Sequence, residues 1–428
     1  MATSEDMTYY VRPEQLCVGL FVHLDLSWMD HPFTFSSFKI KSPDQIETLQ
    51  HLGLEKIRYS PTKSDQHPLP KPVEKPLASA AVNTQIATLS EAEQAAVDSK
   101  QQRLAQMKAQ RAAIAACEKD FVSTARTVRG LDRAIFSRPR DSAQAGERLI
   151  NKLVDSLMTD KDIALHLMND RAGVEDLYFH SLNVTVLTLM LAKELKLSRE
   201  DICALGLAAL FHDVGRIEIP DRILLKTDPL NRSEQALYEQ HAEWSASAAQ
   251  KAGLSSDIFT AIAQHHELSD GSGYPKKLRQ DVIHPLARTL ALVNYFDELC
   301  NRTSLEDSYT PHEALALIFS QQRSKFDTQA LNVFIRCMGI YPPGSLVMLS
   351  NETYAMVVSV NSSRPLKPQV LVYMPGVPSD EAPLIDLEKE HDLNISKSLK
   401  SAQLPREALE CLNPRKRVTY FFAPKDND

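Results

Sequence analysis

The sequence predicts a mainly α-helical protein, with a small α/β module at its N-terminal end and a short β-rich tail at its C-terminal end. The first observation is a long series of segments between residues 140 and 340 in which apolar residues recur at the 3.6-residue period of a helix. The second is a helix start flanked by two strand-like segments within residues 1–62. The third is the alternation of apolar and polar residues after residue 341, which is typical of strands.

Composition excludes several classes of protein. The chain has 428 residues, which predicts about two to three domains, and its 43% hydrophobic and 24% charged residues are typical of a soluble globular protein. A net charge of −7 without a large basic segment argues against a nucleic-acid polymer as a partner. The six cysteines lie far apart and form no Cys-x-x-Cys pair, which argues against a disulfide framework and a thiolate zinc site.

The sequence also indicates a cellular compartment. No apolar segment is long enough to span a membrane, and the first residues lack the basic start and apolar run of a signal peptide. Scattered cysteines fit a reducing environment. We therefore expect a cytoplasmic protein without a membrane span.

The N-terminal module, residues 1–62, is predicted to place one helix between two strands. The helix over Ser42–Leu52 begins with a serine that can act as N-cap and with a proline at the first helical position. Apolar residues in Val18–Leu26 and Leu54–Tyr59 predict strands on either side. We identify no catalytic group in this module.

Residues 63–139 are predicted to form a proline-rich linker followed by a long helix. Five prolines fall between residues 61 and 77, a spacing typical of an extended linker. Ser90 and Glu93 form a capping-box pattern for a helix that continues to about Val128. The helix is rich in Ala, Gln, Lys and Arg and shows no sustained heptad pattern. It fits a surface helix, or a helix for signalling or homodimerisation, and both interpretations stay open.

The region of residues 140–340 is predicted to be all-helical and contains every candidate site residue. Almost no strand pattern interrupts it, and His166 is expected to pack within a helix. The predicted helices are Ala143–Met158, Asp176–Leu195, Arg199–Phe211, Ser233–Ala252, Ser256–His266, Pro285–Cys300 and Pro311–Phe319.

The C-terminal tail, residues 341–428, is predicted to contain short strands. Gly344–Val360 alternates apolar and polar residues around Asn351 and Glu352, which predicts a hairpin. Gln369–Tyr373 adds a further strand. A small β extension of the helical region follows from this pattern.

Five histidines and one aspartate near predicted helix ends indicate a metal centre. A histidine on an apolar helix face is more often a packed core residue, but His212 is followed by Asp213 and Gly215, which places the pair where a helix ends. Neutral imidazole is the commonest metal ligand in proteins, and imidazole with carboxylate suits iron, manganese, zinc or nickel alike. The candidate ligands are His180, His212, Asp213, His241, His265 and His266.

This set of ligands predicts hydrolysis of a phosphodiester. Asp213 can bridge two cations through its two oxygens. Two cations about 3.5–4 Å apart can bind a phosphate group and generate a hydroxide for in-line attack. Each ligand imidazole needs an acceptor for its other N–H, and Glu267 is placed to provide one.

The residue order also resembles a known family. The sequence contains His-Asp-Val-Gly at residues 212–215, His-His-Glu at 265–267 and Asp-Gly-Ser-Gly-Tyr-Pro at 270–275. With His180 and His241, these motifs resemble an HD-GYP domain, the branch of the HD phosphohydrolase superfamily that cleaves the bacterial second messenger cyclic di-GMP. The resemblance covers about residues 140–345 and implies an all-helical HD-type metal-dependent phosphohydrolase domain. The segments before and after it resemble those that often flank HD-GYP domains.

The resemblance implies a centre of two or three divalent metal ions, usually iron or manganese. One ion would be held by His180, His212 and Asp213, and the second by Asp213, His241, His265 and His266. A third ion would add Asp176, four residues before the first histidine. In the family, the Gly-Tyr-Pro loop is associated with substrate and with GGDEF-domain partners, and its residues here are Asp270, Gly271, Gly273, Tyr274 and Pro275.

Three positions depart from the pattern of the family. Asn294 stands where the family usually closes the first metal site with an aspartate, and it offers a carbonyl oxygen without a charge. We therefore expect that ion to bind more weakly, or the number of bound ions to fall. Arg216 replaces a lysine, keeps the positive charge and can hold phosphate in a bidentate manner, so we assign it a catalytic role together with Asp213. Arg302 stands one position before the usual substrate-binding arginine and is the candidate substitute.

The leading hypothesis is a metal-dependent phosphodiesterase that opens cyclic di-GMP to linear pGpG, with further cleavage to GMP left open. The alternative is an HD-GYP protein with impaired catalysis that acts as a cyclic di-GMP sensor or as a protein-interaction module, and Asn294 is the reason to consider it. A third hypothesis is hydrolysis of another cyclic dinucleotide or nucleotide.

Overall fold

The structure is a computed structural model in which helices dominate, as the sequence predicts. It divides the chain into two units, Met1–Ala109 and Gln110–Asp428. The residues that it describes are 9–26, 31, 33, 37–70, 91–159, 163–168, 176–226, 228–302, 308–361, 366–377, 382–390, 392–412 and 418–424.

The N-terminal unit contains an antiparallel sheet of four strands and one helix. Helix α1, Pro43–His51, begins as predicted, because the hydroxyl of Ser42 accepts a hydrogen bond from the amide of Gln45 at 3.4 Å. The two strands predicted around this helix are confirmed as β2 and β4, while β1 and β3 were not predicted. The strands are β1 Tyr9–Val11, β2 Phe21–His23, β3 Ser37–Lys39 and β4 Ile57–Ser60, in the order β1-β4-β2-β3.

Helix α2, Glu91–Ala134, confirms the predicted long helix, but its second half is not a surface helix. Apolar side chains three or four residues apart lie on one face of this half and are buried. The ring of Phe121 stacks on that of Phe179 at 5.6 Å between centroids. The surface-helix interpretation is therefore wrong for this half, where the buried residues are Cys117, Phe121, Ala125, Val128 and Leu131.

The helices that follow build the body of the second unit. The predicted helix over Ser233–Ala252 is wrong in one respect, since the chain ends one helix at Glu239 and begins the next at His241. The Gln240 amide at this break bonds to the carbonyl of Leu237, which tightens the last turn. The helices are α3 Pro139–Thr159, α4 Asp176–Glu194, α5 Arg199–Phe211, α6 Asp221–Leu224, α7 Arg232–Glu239, α8 His241–Lys251, α9 Ser256–Ala263, α10 Pro285–Cys300, α11 Pro311–Gln321 and α12 Thr328–Met338.

A seven-stranded antiparallel sheet completes the second unit, together with helix α13, Arg406–Leu412. The hairpin predicted within Gly344–Val360 is confirmed, with Leu346 opposite Met356. Strands β10, β6, β7, β5 and β11 follow one another across the sheet, while β8 pairs with β7 and β9. The strands are β5 Ile163–Leu167, β6 Leu346–Leu349, β7 Tyr354–Asn361, β8 Gln369–Val372, β9 Leu384–Asp386, β10 Ile395–Leu399 and β11 Tyr420–Pro424.

Strand β5 corrects the prediction that His166 packs within a helix. His166 lies in this strand, opposite Ser359 of β7 and Phe421 of β11. Both partner strands come from the C-terminal end of the chain, so no local pattern marks β5 as a strand. The sheet therefore contains one strand from the region that was predicted to be all-helical.

None of the helices in the described ranges combines the length and the apolar character that crossing a membrane requires.

Candidate metal centre

Six side chains from four helices converge at the centre of the second unit. His180 lies in α4, the pair at 212–213 follows α5, His241 begins α8, and the pair at 265–266 follows α9. Within each of two sets, the candidate ligand atoms lie within 4.8 Å of one another. The first ligand set is His180, His212 and Asp213, and the second ligand set is Asp213, His241, His265 and His266.

The two carboxylate oxygens of Asp213 face different ligand sets. Its Oδ2 lies 3.4 Å from Nε2 of His180 and 3.7 Å from Nε2 of His212. Its Oδ1 lies 3.2 Å from Nε2 of His241 and 3.8 Å from Nε2 of His265. The carboxylate is therefore placed to serve one cation with each oxygen.

Glycine at position 215 allows the second set to approach this carboxylate. A Cβ atom on Gly215 would lie 2.4 Å from the carbonyl oxygen of His241 and 2.7 Å from the amide nitrogen of Ser245. The Gly215 amide instead donates to the hydroxyl of Ser245 at 2.8 Å. Helix α8 consequently packs directly against the turn that follows Asp213.

Three ligand imidazoles are oriented by a backbone carbonyl three residues earlier in the chain. Each carbonyl belongs to the last turn of a helix, where the regular helical hydrogen bonds to carbonyls end. With Nδ1–H donating to the carbonyl, Nε2 keeps its lone pair for a metal ion. The pairs are His212 with Ala209 at 2.7 Å, His241 with Tyr238 at 2.6 Å, and His265 with Ile262 at 2.6 Å.

The fourth imidazole, His180, is oriented by a carboxylate. Its Nδ1 lies 2.5 Å from Oδ2 of Asp297 in α10. The other oxygen of Asp297 accepts hydrogen bonds from the amides of Asn183 and Asn301. Both amides also donate to the carbonyl of Val418, just before β11. Asp297 was not among the predicted site residues, although it stands one helical turn after Asn294.

Glu267 does not accept a hydrogen bond from a ligand imidazole, which corrects its predicted role. Its Oε1 accepts from the amide of Lys276 at 2.6 Å and its Oε2 from the amide of Leu278 at 2.8 Å. The buried carboxylate therefore closes the loop that follows it. The backbone carbonyls described above fill the role that was expected of Glu267.

The Gly-Tyr-Pro loop, residues 270–275, packs against the second ligand set. The ring of Tyr274 stacks on His266 with 4.4 Å between centroids and an interplanar angle of 21°. The Tyr274 amide donates to the carbonyl of His266 at 3.1 Å. A Cβ atom on Gly273 would lie 2.4 Å from that same carbonyl oxygen and from the amide of Leu268. Glycine at 273 thus allows the loop to fold back onto a ligand histidine.

The remaining predicted loop residues lie farther from the ligand sets. Asp270 is exposed, and its Oδ1 accepts hydrogen bonds from the amide and the hydroxyl of Ser272. Gly271 has a φ of +80°, a conformation that suits glycine. Gly273 and Tyr274 line a large cavity next to the ligand sets, which is described below. Asp270, Gly271 and Pro275 are not among the residues that line it.

Arg216 is bound to the shared carboxylate. Its Nη1 donates to Oδ2 of Asp213 at 2.8 Å, and its guanidinium lies 5.7 Å from the ring centroid of Tyr238. Burial raises the pKa of Asp213, but Arg216, His212 and the other imidazoles outweigh it and hold the pKa well below the ordinary value. Asp213 is therefore an anion at neutral pH.

The histidines differ in their charge before any cation binds. Burial lowers the pKa of His212 to about 4 and lowers those of His265 and His266 well below the ordinary value. Burial also acts to lower the pKa of His180, but hydrogen bonds with the carboxylates of Asp213 and Asp297 outweigh it and raise the pKa to about 10. A cation in the first ligand set must consequently displace a proton from His180.

Three buried polar atoms without a hydrogen-bond partner indicate that these residues fit a metal centre. Asp213 Oδ1, His265 Nε2 and Asn294 Oδ1 are buried and make no hydrogen bond. A buried polar atom without a partner costs free energy. Divalent cations would provide partners for these three atoms, and nitrogen and oxygen donors without thiolate suit iron or manganese.

A cavity of about 1140 Å³ opens onto both ligand sets. One face of α10 forms part of its wall and presents Asn294, Asp297 and Glu298. Burial raises the pKa of the Glu298 carboxyl, although His180 and Arg216 act to lower it. The predicted site residues outside the ligand sets that line the cavity are Arg216, Gly273, Tyr274, Asn294 and Arg302. The cavity is also lined by three residues that the sequence did not predict as site residues, Tyr238, Asp297 and Glu298.

Two predicted site residues, Arg302 and Asp176, lie outside both ligand sets. Arg302 lines the cavity, and its guanidinium is 5.1 Å from the ring centroid of Tyr309. Asp176 is the first residue of α4, and its side chain lies outside the described part of the structure.

Three family models together match most of the chain. The HD domain matches residues 152–330. A domain of unknown function (DUF3391) matches residues 10–145, and the KOW domain associated with HD domain matches residues 346–407. The residues of both ligand sets lie within the HD domain match.

Similar proteins carry the names of cyclic dinucleotide phosphodiesterases. A cyclic di-GMP phosphodiesterase of Pseudomonas aeruginosa is 29% identical over 362 residues, which cover 84% of this chain and 83% of that protein. The cyclic di-GMP phosphodiesterase response regulator RpfG of Xanthomonas campestris is 32% identical over 150 residues, which cover 34% of this chain and 39% of that protein. The 3'3'-cGAMP-specific phosphodiesterase 1 of Vibrio cholerae is 32% identical over 158 residues, covering 37% of each chain.

Proposed function

Since the chain belongs to the HD-GYP family, we propose that it is a metal-dependent phosphodiesterase that hydrolyses cyclic di-GMP to linear pGpG. The observation that carries the proposal is the position of Asp213, whose two oxygens face two separate sets of imidazoles at 3.2 to 3.8 Å. The name of the relative that matches 84% of this chain supports cyclic di-GMP as the substrate.

The residues would hold two divalent cations, for which iron or manganese is proposed. One would bind the first ligand set together with Asn294, and the other would bind the second ligand set. Cations at such a centre supply Lewis-acid activation of the scissile phosphate and of the attacking water. A third cation at Asp176 stays part of the proposal, as the resemblance implies.

The protein side chains prepare the centre for this chemistry. Backbone carbonyls at three helix ends and the carboxylate of Asp297 fix four of the five imidazole rings, so that the Nε2 atoms of these four face inward. Arg216 keeps Asp213 ionised, and its guanidinium lines the cavity, where its remaining N–H groups would donate to a phosphate oxygen.

The cavity supports a substrate larger than a mononucleotide. Its volume of about 1140 Å³ exceeds the roughly 300–1,000 Å³ of ordinary small-molecule sites. Arg216 and Arg302 both line it, so that two cationic side chains face a doubly charged cyclic dinucleotide. Tyr238 adds an aromatic surface to the same wall.

We also propose partners, an oligomeric state and a cellular location for the protein. The Gly-Tyr-Pro loop would contact GGDEF-domain partners, which its exposed Asp270 supports. A homodimer and a cytoplasmic location are proposed on the sequence features given above. Each can be tested separately from catalysis, by co-purification, by light scattering and by cell fractionation.

The proposed function is tested by turnover. Purified full-length protein is loaded anaerobically with Fe(II) or Mn(II) and incubated with cyclic di-GMP, 3'3'-cGAMP and a linear dinucleotide. We expect pGpG to form from cyclic di-GMP faster than any product forms from the other substrates. His265→Gln should reduce the rate more than about 100-fold, since even partners of ligand residues are worth about 10- to 100-fold.

The control variant is His51→Gln, because His51 is an exposed residue of α1. It should leave the rate unchanged. If the protein binds its metal ions and cyclic di-GMP but forms no product, catalysis is contradicted and the sensor hypothesis remains. If 3'3'-cGAMP is consumed faster, the substrate assignment is wrong while the hydrolase assignment stands.

A further inference from the structure

The proposed function adds Asn294, an oxygen donor without a negative charge, to the first ligand set, and α10 carries a carboxylate beside it. Asn294 and Glu298 lie one helical turn apart, and both line the cavity. We propose that Glu298 is the positioning residue that makes Asn294 a metal ligand, an inference that rests on the metal centre of the proposed function. Glu298 holds the amide with the carbonyl oxygen free for the cation. Burial alone favours the neutral form of Glu298, but a bound cation favours the carboxylate, which then supplies the charge that asparagine lacks.

The hydrogen bond between the two residues sets the direction of the amide. Nδ2 of Asn294 donates to Oε1 of Glu298 at 3.2 Å. Since a carboxylate only accepts hydrogen bonds, it selects the NH₂ end of the amide and leaves the oxygen end on the other side. That oxygen, Oδ1, is buried without a hydrogen-bond partner in a side chain that is 2% exposed.

The charges around the first ligand set show why a further carboxylate matters. Asp213 is shared by both sets, and its Oδ2 is bound to the guanidinium of Arg216 at 2.8 Å. Asp297 is bound to His180 and to two side-chain amides. Glu298 is the additional carboxylate that this wall of the cavity presents among the described residues.

Glu298 acts through Asn294 and not as a member of the ligand set. The groups of candidate ligand atoms that lie within 4.8 Å of one another do not include its carboxylate. In this region Glu298 accepts a hydrogen bond from the Asn294 amide. Together the two residues replace one carboxylate ligand, since Asn294 provides the oxygen atom and Glu298 provides the negative charge.

The test is a metal titration that needs no turnover. Metal-free full-length protein is titrated with Mn(II), and free ion is measured by electron paramagnetic resonance to give the number of binding steps and the Kd of each. Glu298→Gln keeps an acceptor but loses the charge, whereas Glu298→Ala loses both. Asn294→Asp combined with Glu298→Ala returns a carboxylate to position 294 in place of the pair.

We expect one of the two binding steps to weaken about tenfold in Glu298→Gln and up to about 100-fold in Glu298→Ala, the range found for partners of metal ligands. The double variant should return the Kd of that step to within a few-fold of the wild-type value. The other step should not change in any variant. Glu243→Gln, which alters an exposed carboxylate of α8, is the matched control and should bind as wild type does.

The inference is overturned if Glu298→Ala binds both ions as tightly as the wild type, or if the double variant remains as weak as Glu298→Ala. Thermal unfolding of each metal-free variant checks that the fold is intact. Failure of this inference and failure of the proposed function are distinguishable. Turnover of cyclic di-GMP with an unchanged titration removes only the role of Glu298, and an altered titration without turnover removes only catalysis.

Discussion

At the scale of single residues, the sequence identified the six side chains that converge in the two ligand sets, but not what orients them. Histidine and aspartate can be recognised in a motif, and all six predicted ligands meet in the two ligand sets. The acceptors for three of the imidazoles are backbone carbonyls, which have no signature in a sequence. Glu267 was misassigned for the same reason, because its partners are the amides of Lys276 and Leu278 beyond a turn.

Gly273 gives a residue-scale prediction. In Gly273→Ala the new Cβ would meet backbone atoms of His266 and Leu268 at 2.4 Å, which cannot move as a flexible side chain would. The loop must shift and carry Tyr274 away from His266. We expect turnover to fall on the order of 100-fold, the cost of a misplacement of about 1 Å at an active site.

The matched control for this change is Gly130→Ala in α2. A Cβ atom at Gly130 would have no neighbour within 4 Å. This variant should keep full activity and gain up to about 1 kcal/mol of stability, because alanine favours a helix interior. Equal activity of the two variants, measured as turnover of cyclic di-GMP, would contradict the tight approach of the loop.

At the scale of elements, helices were predicted better than strands. Ser42 and the apolar periods mark helix starts and faces locally, and those helices are confirmed. Strand β5 was missed because its partners, β7 and β11, lie far along the chain. The division between α7 and α8 was missed because Gln240 is an ordinary helix-forming residue, and only the tightened turn reveals the break.

His166 in β5 gives a prediction of pH dependence. Burial lowers its pKa to about 4, whereas the pKa in the unfolded chain is about 6.5. As the pH falls from about 6.5 to about 4, His166 therefore becomes protonated in the unfolded state while it stays neutral in the folded state. The contribution of His166 to the free energy of unfolding is therefore fully present above about pH 6.5. Below that pH it falls by up to about 1.4 kcal/mol per pH unit, down to about pH 4.

The measurement compares wild-type protein with His166→Leu in metal-free form. Urea unfolding is followed at pH 7.0 and at pH 5.0, and the shift of the midpoint between the two is recorded. The wild type should lose more stability than the variant, because leucine does not titrate. Equal shifts in both proteins would show that His166 accepts a proton in the folded sheet.

At the scale of the whole second unit, the site depends on segments from distant parts of the chain. The carbonyl of Val418 accepts hydrogen bonds from Asn183 of α4 and from Asn301, which follows α10. Both amides also hold Asp297, which orients His180. The C-terminal strand segment is thus part of the support of the metal centre, a link that no pattern within the separate segments could reveal.

The central claim is that one carboxylate joins two cation sites, and the metal content per chain tests it most directly. The proteins to compare after anaerobic loading are wild type, His212→Ala, His265→Ala and Asp213→Asn, each checked for an intact fold by circular dichroism. For the two sites that Asp213 joins, the account predicts two ions in the wild type, one in each histidine variant and none held stably by Asp213→Asn. Two ions retained by Asp213→Asn would contradict it.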